Sequence, residues 1–122
     1  MANDFKRFTK PDVGTSTGAS ADAVYTVPAG AGSTALESII IGITLANKTA
    51  AGITASVFLD NYDGSNDVYI VKDASIPAGS SLEVMSGNKL VLQGDGTTND
   101  TIRVSASSSS AVDATVSVLE DV

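Results

Sequence analysis

Residues 36–59 read LESIIIGITLANKTAAGITASVFL, and this stretch decides the fold class. Ile39, Ile41, Ile43 and Leu45 recur at every second position, with Ile40, Gly42, Thr44 and Ala46 between them. A period of two puts alternate side chains on opposite faces of a strand. The same alternation returns in Ile53, Ala55, Val57 and Leu59, and the polar residues 47–52 between the runs supply a turn. The pair is expected to form an antiparallel hairpin whose apolar faces the remaining segments cover.

Those segments read the same way. Short alternating runs lie at 24–27, 68–71, 82–84, 89–92, 102–106 and 112–118, the last placing Val112, Ala114, Val116 and Val118 on one face. Gly, Pro, Asn and Asp mark the breaks, and Pro-Ala-Gly is used twice, at 28–30 and 77–79. About eight strands at spacings of roughly 8 to 12 residues are the mark of an antiparallel sandwich or barrel. The expected fold is all-β, an antiparallel β-sandwich of jelly-roll or Ig-like type, with strand order left open because different connections give one linear pattern.

Residues 1–22 carry no sustained apolar period and are expected as an extended N-terminal arm, leaving 23–122 as the sandwich domain. Lys6, Arg7 and Lys10 lie close together as the only locally basic part of an acidic chain, and Phe5 and Phe8 are two of the three phenylalanines in the chain. The rings either fold back on the body or dock on a neighbouring subunit, so Phe5, Lys6, Arg7, Phe8 and Lys10 are candidate partner-binding residues. Phe58 and Val91 each fall on the face opposite their strand's apolar set, so either the sandwich buries them under a loop or they join these candidates in a subunit contact. Tyr62, in the acidic loop at 60–67, is the best placed aromatic for a sugar.

Composition removes most chemistry. A chain of 122 residues suffices for one core, and the absence of His and Cys removes imidazole bases, thiolate nucleophiles and disulfides together. The acids fall mainly in turns, where they bond their own backbone, and no spacing singles out a catalytic pair; the expectation is no enzyme and no cofactor. Gly30, Gly32 and Ala35 fit a dinucleotide fingerprint, but a β-branched run follows where the fingerprint requires a helix. Thr34 with Glu37 resembles a capping box, worth at most one helical turn. The loop at 60–67 misses the calcium register, since Leu59 and Asn61 fall on the first ligand positions. Sequons at Asn47 and Asn99 are read as coincidental in a Thr-rich chain.

A net charge of −7 disfavours nucleic acid and anionic membrane as partners. No apolar run approaches the roughly 18 residues of a membrane helix, and the start MANDFKR lacks a secretory core. The expectation is a product made in the cytoplasm and stabilised by neighbouring subunits.

The order VYTVP at 24–28, IGITLAN at 41–47, IPAGSSL at 76–82, GNKLVL at 87–92 and the ending at 112–120 resembles small virion proteins of tailed bacteriophages, those of marine and cyanobacterial phages in particular. The resemblance spans nearly the whole chain as pattern. It implies a multicopy virion part, assembled in the host bacterial cytoplasm, whose partners are its own copies and other virion proteins such as the major capsid protein or neck and tail proteins. A head decoration or cement protein comes first, a neck, tail or baseplate accessory second, and a receptor- or glycan-binding module of a tail fibre stands as the alternative of another class. The resemblance brings no catalytic residues.

Overall fold

A computed structural model describes residues 3–28, 36–62, 68–85 and 89–121. The glycine-rich stretch around 30–35 with its fingerprint and capping-box matches, residues 63–67 of the first acidic loop, and the 86–88 turn lie outside the described residues. Among those described, nine strands run β1 Asn3–Lys10, β2 Asp22–Thr26, β3 Ser38–Asn47, β4 Ile53–Asp60, β5 Val68–Ile76, β6 Ser81–Glu83, β7 Leu90–Leu92, β8 Thr101–Ala106 and β9 Val112–Asp121, with a single 3-10 turn at Gly18–Ser20.

The strands form two antiparallel sheets, an all-β sandwich as expected. One sheet runs β1-β9-β3, with β6 and β7 sharing the far edge of β3; the other runs β2-β8-β4-β5. The pairing is nested: β1 with β9, β2 with β8, β3 with β6 and β7, β4 with β5. A long hairpin rolled onto itself gives that order. It is the double Greek key of a jelly roll, so between the two expected sandwich types the topology selects this one.

The core is what the alternation dictates. From the first sheet Ile40, Ile43, Leu45, Leu92, Val112, Ala114, Val116 and Val118 point inward, and Ile53, Ala55, Val57, Ile76, Ile102, Val104 and Ala106 meet them from the second. A fully buried side chain of this kind contributes about 1.5–3 kcal/mol.

Three expectations need correction. First, β3 and β4 are not a hairpin, because they belong to different sheets and face each other across the core. Buried Asn47 makes the crossing: its amide donates to the carbonyls of Ala51 (2.8 Å), Ile76 (3.0 Å) and Pro77 (3.2 Å), and its oxygen accepts from the Thr49 backbone (2.9 Å) and hydroxyl (2.7 Å). That buried, fully used amide is structural. Second, the phase of β3 slips at Ile41, where the pairing with β9 shifts between Ile40 and Gly42. A residue inserted as a bulge moves the following side chains to the other face, so Ile40, Ile43 and Leu45 are buried while Ile41 is 40% exposed. Third, residues 3–10 are not an arm free of the body. They form the edge strand β1, paired with β9 from Asn3↔Asp121 to Lys10↔Ala114, and Val13 and Ala21 beyond it are buried. The division at residue 22 therefore gives way to one sandwich that includes this segment.

Candidate functional site

The outside of the first sheet carries the candidate site. Directly opposed residues on neighbouring strands share a face, and the register places Phe5 opposite Leu119, Leu119 opposite Ile39 and Ile39 opposite Val91. These residues make one apolar row across β1, β9, β3 and β7, about 14 Å long at the usual strand spacing. Its ends are open: Phe5 is 78% exposed and Val91 53%. Leu119 and Ile39 between them are half-buried. The neighbouring position on the same face holds Arg7, Ser117 and Gly42, with the exposed Ile41 bulge beside them. Farther along come Thr9, Thr115, Thr44 and Glu83. The row is thus an apolar band with a polar border.

Behind it, facing inward, lies a polar cluster. Tyr25 reaches from β2 across the sandwich, its hydroxyl donating to Glu120 Oε2 at 2.6 Å and lying 2.7 Å from Ser38 Oγ. Glu120 is 3% exposed, and Lys6 Nζ lies 3.0 Å from its other carboxylate oxygen. That oxygen is buried and accepts no hydrogen bond among the described residues, so the Lys6 ion pair is what faces it. Burial, then the bond to Glu120, pushes the Tyr25 phenol above its ordinary value. The bond to Glu120 likewise holds the Lys6 ammonium above the usual lysine range. The Phe8 ring packs on Tyr25 with centroids 4.7 Å apart.

The expected partner-binding residues separate accordingly. Phe5 and Val91 come together at the two ends of the row, and Arg7 is exposed beside it. Lys6, Phe8 and Lys10 lie on the inner side of β1, opposite Val118, Val116 and Ala114. Phe58 is no contact surface: it is 2% exposed, with the Tyr69 ring 4.6 Å away. Two register shifts between β4 and β5 bring Tyr69 opposite it. Tyr62 is half-buried, and its backbone N–H donates to Asp100 Oδ1 at 2.7 Å. The acids of the loop at 94–100 accept from backbone N–H groups: Asp100 also from Gln93 at 2.9 Å, and Asp95 from Thr97 at 2.9 Å and Thr98 at 2.7 Å.

Two residues of the row escaped the sequence reading. Ile39 reads as one alternating set with Ile41, Ile43 and Leu45, because the bulge that separates it from them leaves no mark in the sequence. Leu119 did leave a signal, as the apolar exception among Asp113, Thr115 and Ser117 on the outer face of β9.

A second feature lies on the outside of the other sheet. A groove of about 340 Å³ is lined by Thr15, Thr17, Thr54, Ser56, Ser105 and Ser107, with Tyr69, Lys72 and Asp73. Asp73, at φ +50°, opens a bulge in β5 and donates its N–H to Ser56 Oγ at 2.9 Å. The Lys72 ammonium stands 5.3 Å from the Tyr69 ring centroid. Among the described residues no group of three or more acids converges as a metal site, and no helix is long and apolar enough to cross a membrane. Compared with protein-family models, with curated proteins and with solved structures, the chain finds no match in any of the three.

Proposed function

We propose that this chain is a structural protein of a tailed bacteriophage particle, a head decoration or cement subunit that adds contact area to an assembled shell. The observation that carries an adhesive role is the row Phe5, Leu119, Ile39 and Val91 on the outer face of the first sheet, with the exposed Ile41 beside it and Arg7, Ser117 and threonines beyond. Contiguous exposed apolar surface with a polar rim marks a contact site. The sequence resemblance supplies the particle, and the net charge of −7 speaks against the packaged genome as the partner. Catalysis has no part in this reading. Asp95 and Asp100 are engaged with backbone N–H groups, and Glu120 with Tyr25 in the interior, which supports a structural use of these acids.

The test is location. Antibody or gold label against the protein should decorate heads of intact particles at many copies; label on the tail alone would replace the head role by a neck, tail or baseplate one. Particles carrying no label at all would end the proposal.

One observation favours a second reading, the glycan-binding module. The groove beside Tyr69 combines an exposed aromatic with a bank of hydroxyls, the pairing of flat apolar surface and hydrogen-bonding groups that suits a sugar. It moves the contact from Tyr62 to Tyr69. Binding on a glycan array that Tyr69→Ala abolishes would favour it, and silence across the array would remove it.

A further inference from the structure

We propose that β1 is exchanged between copies of this chain, so that the edge strand completing the first sheet of one subunit is supplied by its neighbour. This adds a means of association to the assembly reading, whose premise that copies associate it shares.

Three observations converge on β1. It is held by one ladder, to β9, and β9 keeps β3 on its other side, so the sheet persists without it. Its inward face is poor in apolar groups: Lys6, Phe8 and Lys10 oppose Val118, Val116 and Ala114, and Phe8 alone packs against the core. A strand with so little buried apolar surface is the most easily detached part of a sandwich.

The place it would vacate accepts little else. Glu120 is buried there, with one oxygen served by Tyr25 and the other by Lys6. A buried carboxylate stripped of its cation is strongly unfavourable. The vacancy therefore calls for a strand that brings a cation to the position of Lys6, and the β1 of a second copy does so by identity. Exchange of an identical element restores every contact, which makes it a low-cost route to a closed assembly.

The connection is built as a hinge. The ladder ends at Lys10↔Ala114, and the chain is anchored again at Val13, whose N–H donates to the Val112 carbonyl at 2.9 Å. Only Pro11 and Asp12 lie between. Asp12 is held at φ +54°, clamped by Lys48 through its carboxylate and by the Asp113 carboxylate on its N–H at 3.0 Å. Left-handed backbone at a non-glycine residue is strained, and proline brings no N–H to the ladder. Short strained hinges are the ones that open into swapped forms.

The test uses the full chain, whose lack of cysteine makes engineered thiols unique. Arg7→Cys and Ser117→Cys stand directly opposed in the ladder, so on oxidation their disulfide joins β1 to whichever β9 it pairs with, the neighbour's where strands are exchanged. Light scattering on a sizing column should give the wild type and the reduced double variant the same multiple of 12.3 kDa, which shows that the variant folds, and the oxidised double variant should run on a denaturing, non-reducing gel as a covalent multiple of 12.3 kDa. Mixing Arg7→Cys chains with Ser117→Cys chains should yield a covalent dimer on oxidation. An oxidised double variant whose chains run singly at 12.3 kDa on that gel, each β1 stapled to its own β9, or a wild type of 12.3 kDa at its highest soluble concentration, overturns the exchange. The masses are read without phage heads, so chains stapled singly sink the exchange even where they still join particles.

Discussion

Replacing Tyr25 by Phe deletes one oxygen from the interior and leaves the ring packing on Phe8 in place. That oxygen donates at 2.6 Å to a carboxylate only 3% exposed, and Ser38 Oγ loses the same neighbour. A hydrogen bond to a charged group is worth about 1.5–3 kcal/mol, and the buried acceptor left behind bears the desolvation cost. A loss of about 2–3 kcal/mol is expected, a large part of the roughly 5–15 kcal/mol that holds a domain folded. Thermal unfolding followed by far-UV circular dichroism should show the midpoint falling by about 8–12 °C, at about 4 °C per kcal/mol for this chain length. The pH dependence gives an independent check. The phenol is held above its ordinary value in the fold, so its contribution is complete below about pH 10 and is lost as pH rises further, by up to about 1.4 kcal/mol per pH unit. Tyr25→Phe should flatten that alkaline decline; Lys6 and Lys48, also raised, account for the slope that remains. A variant with the wild-type midpoint and an equally steep alkaline limb would refute the account of this cluster.

The acid limb has other owners. Asp113 is held below its ordinary value chiefly by Lys48, and Asp95 by the Thr98 and Thr97 N–H groups; both are exposed, so stability should decline modestly below about pH 4 as they protonate, and Lys48→Met should remove the Asp113 share in acid titrations. Asn47→Ala removes the amide's bonds to the Ala51, Ile76 and Pro77 carbonyls and to Thr49, leaving Ala51 the Thr49 hydroxyl and Pro77 the Ser80 N–H, and should cost about 2–4 kcal/mol in urea unfolding; a cost under about 0.5 kcal/mol would show that the crossing does not depend on it. At Gly94 an added Cβ would collide with Asn99 Oδ1 and stand 3.2 Å from Asn99 Cα. Gly94→Ala should therefore lower stability by about 1–3 kcal/mol in the same assay, because the Asn99 side chain and backbone must both move.

The strands were legible because period-two alternation is a local signal, and every run read from it is a strand in the fold. What joins them was not. A polar turn between two alternating runs looks alike whether they pair edge to edge or face each other across a core, and the buried amide of Asn47 that decides the matter is one ordinary letter in a Thr-rich loop. β1 was hidden for the opposite reason. Its inward side carries Lys6 and Lys10 where a strand would show apolar residues, so it reads as an arm, and only the distant carboxylate of Glu120 explains the charge at Lys6. The site was half legible. Phe5 and Val91 stood out as large apolar residues off pattern, yet nothing local says that they end one row, since that follows from pairings between residues 5 and 119 and between 39 and 91.

The adhesive role is tested most directly by titrating heads stripped of accessory proteins with purified wild-type protein and with the double variant Phe5→Lys, Val91→Lys. Both side chains are exposed, so the fold should tolerate the change. Saturable binding at a fixed number of copies per head is expected of the wild type. Burying the two side chains is worth about 3 kcal/mol, and the double variant should bind about 150-fold more weakly. A wild type that ignores the heads, or a variant that binds them with undiminished affinity, would contradict the account.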